Sequence, residues 1–439
     1  MGVNVVPQPV SVIEREGSSR ADALDVSVHG GLPSSASGSA HPEGYTLDVA
    51  PDGIRIEAAD DAGAFYARQT LAQLTDAEGR VPHVHIDDFP RFAYRGAMLD
   101  VARHFFPVAA VKRYLDDIAL LKLNHLHLHL TDDQGWRLQL DSWPELTGIG
   151  ASTQVGGGGG GFYTADDYRE IVEYAASRFI TIVPEFDMPG HTNAAIAAYP
   201  ELGDAPAEPY EGIEVGFSSL AIRSERTYEF VADALRELAA LTPGPYLHLG
   251  GDESLATTDE DFQYFIARAT AIGAATGKTL IGWHEMGRSR ELPPGTIGQY
   301  WSYTTPQEGA AEHTLSFVEQ GGRVILSPAD AIYLDHKYDE STELGLEWAN
   351  GPTGIRDSYE WEPADVVPGL AEHDILGIEA PMWTETLSTI DQVETMAFPR
   401  LASAAELAWS PRAPRVFAEF EPRLAAFTGY LDRLGVGHA

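Results

Sequence analysis

The chain has 439 residues, no cysteine, and 66 acidic against 29 basic side chains, for a formal net charge of -37. Its length allows one large α/β domain plus a small companion, each with a buried core. The charge repels nucleic acid and anionic membrane, and the absence of cysteine removes disulfides, thiolate metal sites and a cysteine nucleophile together.

At the N-terminus, MGVNVVPQPVSVIEREG has neither a basic n-region nor an apolar h-region, and Val6 fails the hydroxyl position of a myristoylation signal. As it reads, a cytoplasmic protein is expected, with secretion the alternative if a leader precedes Met1. No apolar run is long enough to span a bilayer. Residues 1–90 alternate β-like runs with turns: VSVIE, the Gly/Ser-rich SSASGSAHPEG, and YTLDVAPDGIRIEA with a Pro-Asp-Gly hairpin signal. A helix from Ala62 to Leu74, its first turn loosened by Gly63, closes this small domain, and Pro82 and Pro90 punctuate its boundary.

From Phe92 onward β-like runs alternate with amphipathic helices, the pattern of parallel βα units, so 91–439 is read as the main domain. Eight strands are expected, over Tyr94–Val101, His125–Thr131, Phe179–Glu185, Tyr246–Gly250, Thr279–Trp283, Thr296–Trp301, Arg323–Leu326 and Ile375–Pro381. Between them, VAAVKRYLDDIALLKLN, TADDYREIVEYAASRF and SERTYEFVADALRELAAL repeat apolar residues at helical spacing, and Arg415–Leu434 reads as a last amphipathic helix. The fold class is therefore α/β, a (β/α)8 TIM barrel preceded by a small α+β domain.

Barrel sites lie at the C-terminal ends of strands and in the loops that follow. Arg103 and His104 follow the first strand, Asp132 and Asp133 the second, Asp187 and His191 the third, and Asp252 and Glu253 the fourth. Trp283, Trp301, Tyr333 with Asp335, and Trp383 with Glu385 end or follow the others. The glycine run Gly156–Gly161 lacks the spacing of a phosphate cradle and is expected as a mobile rim loop, too flexible to pack. The insertion from Tyr338 to about Pro368 is expected to overhang the mouth as a lid or wall.

YLHLGGDES, Tyr246–Ser254, carries an alternating strand into a Gly-Gly turn and delivers two adjacent carboxylates. Neighbours on a regular strand face opposite ways, so Asp252 and Glu253 share a pocket only if the backbone bends at Gly250 and Gly251. Glycoside hydrolysis ordinarily uses two carboxylates flanking the bond, and sequence neighbours are poorly placed to flank anything. With Glu253 as general acid, Asp252 can hold the N–H of a 2-acetamido group through a charge-assisted bond worth about 1.5–3 kcal/mol. The substrate's own carbonyl oxygen is then the nucleophile, with proximity contributing about 7–11 kcal/mol. Trp283, Trp301, Trp383 and Tyr333 at one mouth suit the apolar faces of a pyranose, and Arg103, Asp335 and Glu385 its hydroxyls, although packing is the usual fate of any one aromatic.

A competing signal is His125, His127 and His129, which share one strand face. A His-x-His at the end of a barrel strand is one way to hold a divalent metal, but these histidines precede the strand's end, where hydrogen-bonded packing is the ordinary role. A metal-dependent barrel hydrolase and a non-catalytic sugar-binding protein therefore stand as alternatives.

The series RGAMLDVARHFFPV, HLHLHLTDDQGWRLQ, PEFDMPGH, HLGGDES, GWHE, GQYW, YLD and WTETL resembles, in order and over nearly the whole chain, the family 20 glycoside hydrolases, the β-N-acetylhexosaminidases. The resemblance implies Glu253 as general acid and base, Asp252 orienting the acetamido group and stabilising an oxazolinium ion, and Tyr333 hydrogen-bonded to the acetamido oxygen. It implies Trp283, Trp301 and Trp383 as pocket walls, Arg103, Asp335 and Glu385 on sugar hydroxyls, and Asp132 and His191 supporting the acid. Such an enzyme removes terminal β-linked N-acetylglucosamine or N-acetylgalactosamine with retention, takes small carbohydrates as partners, and uses neither metal nor organic cofactor. The N-terminal domain resembles the one that precedes such barrels, with a shortened middle that lacks an element.

Overall fold

The computed structural model describes residues 3–21, 24–28 and 41–439. Most of the Gly/Ser-rich stretch, and with it the element expected to be missing from the small domain, lies outside the described residues. Five strands, β1 (Ser11–Arg20), β2 (Leu24–Val28), β3 (Tyr45–Ala50), β4 (Gly53–Ala58) and β5 (Arg80–Asp88), form one sheet in the order β1-β5-β3-β4-β2. Along β3 buried and half-buried residues alternate, as expected of a sheet with one covered face. The cover is the helix Asp61–Leu74, whose Tyr66, Ala67, Leu71 and Leu74 meet Leu47, Ile54, Ile56, Val84 and Ile86.

Gly63 does not loosen that helix. Asp60 caps the first turn by accepting from the Gly63 N–H, and a Cβ at Gly63 would lie 2.5 Å from the Gly44 carbonyl oxygen. The glycine lets helix and loop approach closely.

The second domain is a closed barrel of eight strands, all neighbours parallel: β6 (Tyr94–Asp100), β7 (His125–His129), β8 (Thr181–Glu185), β9 (Tyr246–His248), β10 (Thr279–Trp283), β11 (Ile297–Tyr300), β12 (Val324–Leu326) and β13 (Ile375–Ala380). Each expected strand is present, several of them shorter. Phe179 takes φ 57° and turns the chain, so β8 begins at Thr181, and Gly250 with φ 67° bends away what would have extended β9. Crossover helices bury their apolar stripes against the barrel. One of them, Ala165–Ala176, starts with a Thr164/Asp167 capping box, and another, Val108–Ala119, stops short of Lys122, whose φ is 60°.

The interior is layered. Tyr94, Val183, Ile281, Ile297, Ile325 and Leu376 fill one end, and Met98, Trp283, Tyr333 and Trp383 form an aromatic floor under the other. Between them lies a polar layer containing His127, Glu185, Gln299 and Glu379, all fully buried. The C-terminal end of the Gly156–Gly161 run packs, against expectation, whereas Gly156 and Gly159 face open space: Cβ atoms at Gly160 and Gly161 would lie 2.1 Å from the Ala151 oxygen and 2.2 Å from the Phe105 ring. Its ends are pinned where Gly156 N–H donates to the Glu211 carbonyl and Gly161 N–H to that of Ala151. The C-terminal helix spans Phe417–Leu434. Among the described residues no helix is long and apolar enough to cross a membrane.

Candidate active site

Bends rather than regular strand shape the mouth. After β9, Gly250 and Gly251 take φ of 67° and 100°. A Cβ at Gly250 would fall 1.7 Å from Asp187 Oδ1, and one at Gly251 2.5 Å from Met286 Cγ, so these positions need glycine for both conformation and space. Glu253 is itself left-handed, with φ 40°, a conformation that costs a non-glycine residue about 1–3 kcal/mol. The turn brings the neighbouring carboxylates Asp252 and Glu253 into one cavity of about 440 Å³, lined also by Arg103, Trp301, Tyr333, Trp348, Trp383 and Glu385.

Behind the carboxylates stand Asp132 and His191. His191 Nδ1 lies 3.1 Å from Asp132 Oδ1, and its Nε2 faces Glu253 Oε2 at 3.5 Å and Asp252 Oδ2 at 3.8 Å. Arg103 holds the other Asp132 oxygen at 3.0 Å. Burial opposes charge on both partners, yet Asp132 and Asp252 keep His191 well above its ordinary pKa, and Arg103 and His191 keep Asp132 well below. Burial pushes Asp252 up to about 7, with His191 pulling the other way. Asp187 is pushed well above the carboxylate range by burial and then by the charge of Asp252, and it accepts the Gly251 N–H at 3.0 Å.

The aromatic rings form an arc. Trp283 and Trp383 are 6.0 Å apart between centroids, Tyr333 and Trp348 5.7 Å, and Trp301 and Trp348 6.1 Å. Trp301 is fixed by Nε1, which donates to both Glu285 oxygens at 3.0 and 2.9 Å, and the Arg103 guanidinium sits 4.8 Å over the Trp383 ring. Burial, then Asp252, raises the Tyr333 phenol far above its usual range, so it serves as a donor.

Several buried polar atoms at this mouth have no hydrogen-bond partner among the described residues: Arg103 Nε, Asp252 Oδ1, both oxygens of Asp335, and Glu385 Oε2. Such groups cost about 1–3 kcal/mol each when left unpaired, and their concentration in one place points to a ligand rich in hydroxyl and N–H groups. Burial and the Glu385 charge push Asp335 well above the carboxylate range.

Of the residues singled out from sequence, Arg103, Asp252, Glu253, Trp301, Tyr333, Trp383 and Glu385 line the cavity. Asp132 and His191 stand behind Glu253, and Trp283 and Asp335 are buried without lining it. Sequence reasoning missed Tyr303, Ile213, Val215 and Trp348 in the lining, the last on the insertion expected as a wall, and it gave no role to Glu285 or Asp187. The His-x-His strand is engaged with acidic side chains. His127 lies between Glu379 and Glu185, and His129 between Glu185 and Asp132, so each ring nitrogen already faces a carboxylate.

A parallel barrel whose mouth gathers paired carboxylates, an aromatic arc and unpaired hydroxyl-binding groups has the make-up of a carbohydrate-cleaving hydrolase. The glycosyl hydrolase family 20 catalytic-domain model matches residues 92–412 and the family's domain 2 model residues 13–89. The chain is 44% identical over 402 residues to a beta-N-acetylhexosaminidase of Cellulomonas fimi, covering 90% of this chain and 79% of that protein. The structure of the Streptomyces plicatus N-acetyl-beta-hexosaminidase in complex with Thio-NAglucal superposes with a TM-score of 0.95 at 42% identity, covering 100% of this chain and 97% of that one. A mutant of the same enzyme, solved with the product GlcNAc, gives a TM-score of 0.95 at 41% identity, covering 100% of this chain and 97% of that one. The chain belongs to glycosyl hydrolase family 20 and is a glycoside hydrolase.

Proposed function

We propose that the protein is an exo-acting β-N-acetylhexosaminidase that releases terminal β-linked N-acetylglucosamine or N-acetylgalactosamine from small carbohydrates with retention, the substrate supplying the nucleophile. The observation that carries this reading is that Asp252, Glu253 and Tyr333 share one cavity while Asp252 keeps an unpaired oxygen. A bound acetamido group satisfies that oxygen with its N–H, and the Tyr333 hydroxyl donates to its carbonyl oxygen, which aims that oxygen at the anomeric carbon.

Glu253 gives its proton to the glycosidic oxygen as the C1–O bond breaks, and the acetamido oxygen closes on C1 from the opposite face. The resulting oxazolinium ion is positive, and Asp252 lies beside it as the counter-charge. Glu253, now a carboxylate, takes a proton from a water that opens the ring at C1, which restores the acid and returns the original configuration. His191, held charged by Asp132, favours the carboxylate form that Glu253 passes through. The Trp301 and Trp383 faces hold the sugar ring, and Arg103 and Glu385 its hydroxyls.

The test compares kcat/KM for a chromogenic 2-acetamido-β-glucoside and its 2-hydroxy counterpart. A preference for the acetamide of at least about 10⁴-fold is expected, well within the range that proximity supplies. Equal rates would require a nucleophile from the protein and would reject the mechanism.

A further inference from the structure

A polar chain runs from the barrel core to the mouth. It begins at Glu379 on β13, which accepts from the Tyr94 hydroxyl and, at 2.7 Å, from Gln299 Nε2. Glu379 Oε1 lies 2.8 Å from His127 Nδ1, and His127 Nε2 lies 3.1 Å from Glu185 Oε2. The same Glu185 oxygen bonds His129 Nδ1, and His129 Nε2 reaches Asp132 Oδ2 at 2.7 Å. Asp132 then meets His191, and His191 faces Glu253. Seven side chains from three consecutive βα units and the last strand thus alternate carboxylate and imidazole, the final step from His191 Nε2 to Glu253 being an approach of 3.5 Å rather than a hydrogen bond, and every one before Glu253 is buried.

The alternation itself fixes charge. A neutral imidazole has one donor nitrogen and one acceptor, but His127, His129 and His191 each have a carboxylate at both nitrogens. With both acidic partners ionised, only an imidazolium, donating twice, satisfies both sides. Glu185 is the shared acceptor of two of these rings and stands against a third imidazole, His248, whose Nδ1 lies 2.8 Å from the other Glu185 oxygen. His248 is different in kind, because its Nδ1 also receives the Gly250 N–H at 3.1 Å.

We propose that Glu185 is a positioning residue for the proposed acid, anchoring a chain of alternating charges that holds His191 as a double donor toward the carboxylate Glu253 becomes when it gives up its proton. Glu185 touches neither the cavity nor Glu253, so it acts through His129, Asp132 and His191. The chain neither gains nor loses a proton in the cycle; the proton moves from Glu253 to the leaving group and returns from water. The inference rests on Glu253 being the acid. The direction of the buried shifts agrees with it: Glu379 and Glu185 hold His127 up to about 9 against its burial, Glu185 and Asp132 hold His129 well above its usual range, and His125, with no such pair of carboxylates, is lowered by burial to about 3.

The test uses the full chain and two substrates, a 2-acetamido disaccharide, which needs full proton donation, and a dinitrophenyl 2-acetamido-β-glucoside, which needs little. Glu185→Gln is expected to lower kcat on the disaccharide by about 10–100-fold, part of what acid catalysis supplies, while changing kcat on the aryl glycoside less than about threefold and KM on either less than about twofold. The double variant Glu185→Gln with His129→Gln is expected to cost no more than the worse single one, as members of one chain are not additive. Equal losses on both substrates, or additive losses, would make Glu185 merely structural and overturn the proposal. If the variants do not fold, nitrogen-15 NMR of histidine-labelled parent enzyme decides. His127, His129 and His191 should show the imidazolium signature at neutral pH and His125 the neutral one, and a neutral His129 would overturn the chain. A parent enzyme without acetamide preference would instead remove the mechanism on which the inference stands, so the two failures are distinguishable.

Discussion

Two clusters of buried charge sit at opposite ends of β6 and its neighbours, and they are built to different rules. At the junction of the two domains Lys122 donates to Asp88 and to the Tyr45 hydroxyl, each at 2.9 Å, while the Trp409 indole donates to the other Asp88 oxygen at 2.9 Å. Arg95 beside it spends every guanidinium nitrogen on Glu43, Phe92, Lys122 or Tyr66. At the mouth, Arg103, Asp252 and Asp335 are buried as well and Glu385 is half-buried, and each keeps a buried atom with no partner among the described residues. Charge that is finished inside the protein holds domains together, whereas charge left unfinished is a binding surface with its shape already set.

Breaking each cluster should therefore fail in a different way. The largest effect is expected for Glu253→Gln, which should lower kcat on a 2-acetamido disaccharide by about 10²–10⁴-fold while leaving the melting temperature and product affinity nearly unchanged; steady-state kinetics with thermal melts checks both halves. Lys122→Met should do the reverse, stranding Asp88 and destabilising the fold by about 3–5 kcal/mol, read by denaturant unfolding, with kcat of the folded enzyme unaltered. The smallest effect sharpens the contrast through pH. Burial raises Asp252 to about 7, above the ~3.9 of an unfolded aspartate, so the folded state binds its proton more tightly. The resulting stability is fully present below pH ~4 and is lost as pH rises to about 7. Asp252→Asn, which cannot ionise, should accordingly melt above the parent at pH 8 and converge with it near pH 4, in melts recorded across that range.

Much of this was legible in the residues. The eight strands announced themselves by alternation and by the helices between them, and polar residues after each strand located the mouth before any coordinates did. What escaped had no local signal. Trp348 lies in an insertion without periodicity, and only the fold of that segment brings it within 5.7 Å of Tyr333. Glu285 follows a strand as an ordinary acidic residue, and its value lies in fixing Trp301, 16 residues away. Gly63 and Gly160 read as flexibility because a sequence records the missing side chain but not the backbone that passes through the space. The histidines of β7 were seen to share a face, yet apart from Asp132 their carboxylate partners, Glu185 and Glu379, come from β8 and β13, so most of the charge alternation was invisible along the chain.

Trp409 closes a barrel helix, Arg400–Trp409, yet its ring is part of the small domain's hydrophobic core, edge-on to Tyr66 at 5.3 Å. The sheet was built around a residue it does not own. Anyone grafting this barrel onto another accessory module, or permuting the chain near residue 90, would be exchanging half of a shared keystone. A graft that keeps the catalytic domain but omits the sheet leaves an indole and Lys122 facing water, and a graft of the sheet alone leaves a hole of indole size in its centre. The boundary that the sequence draws at two prolines is thus a seam in the chain but not in the packing.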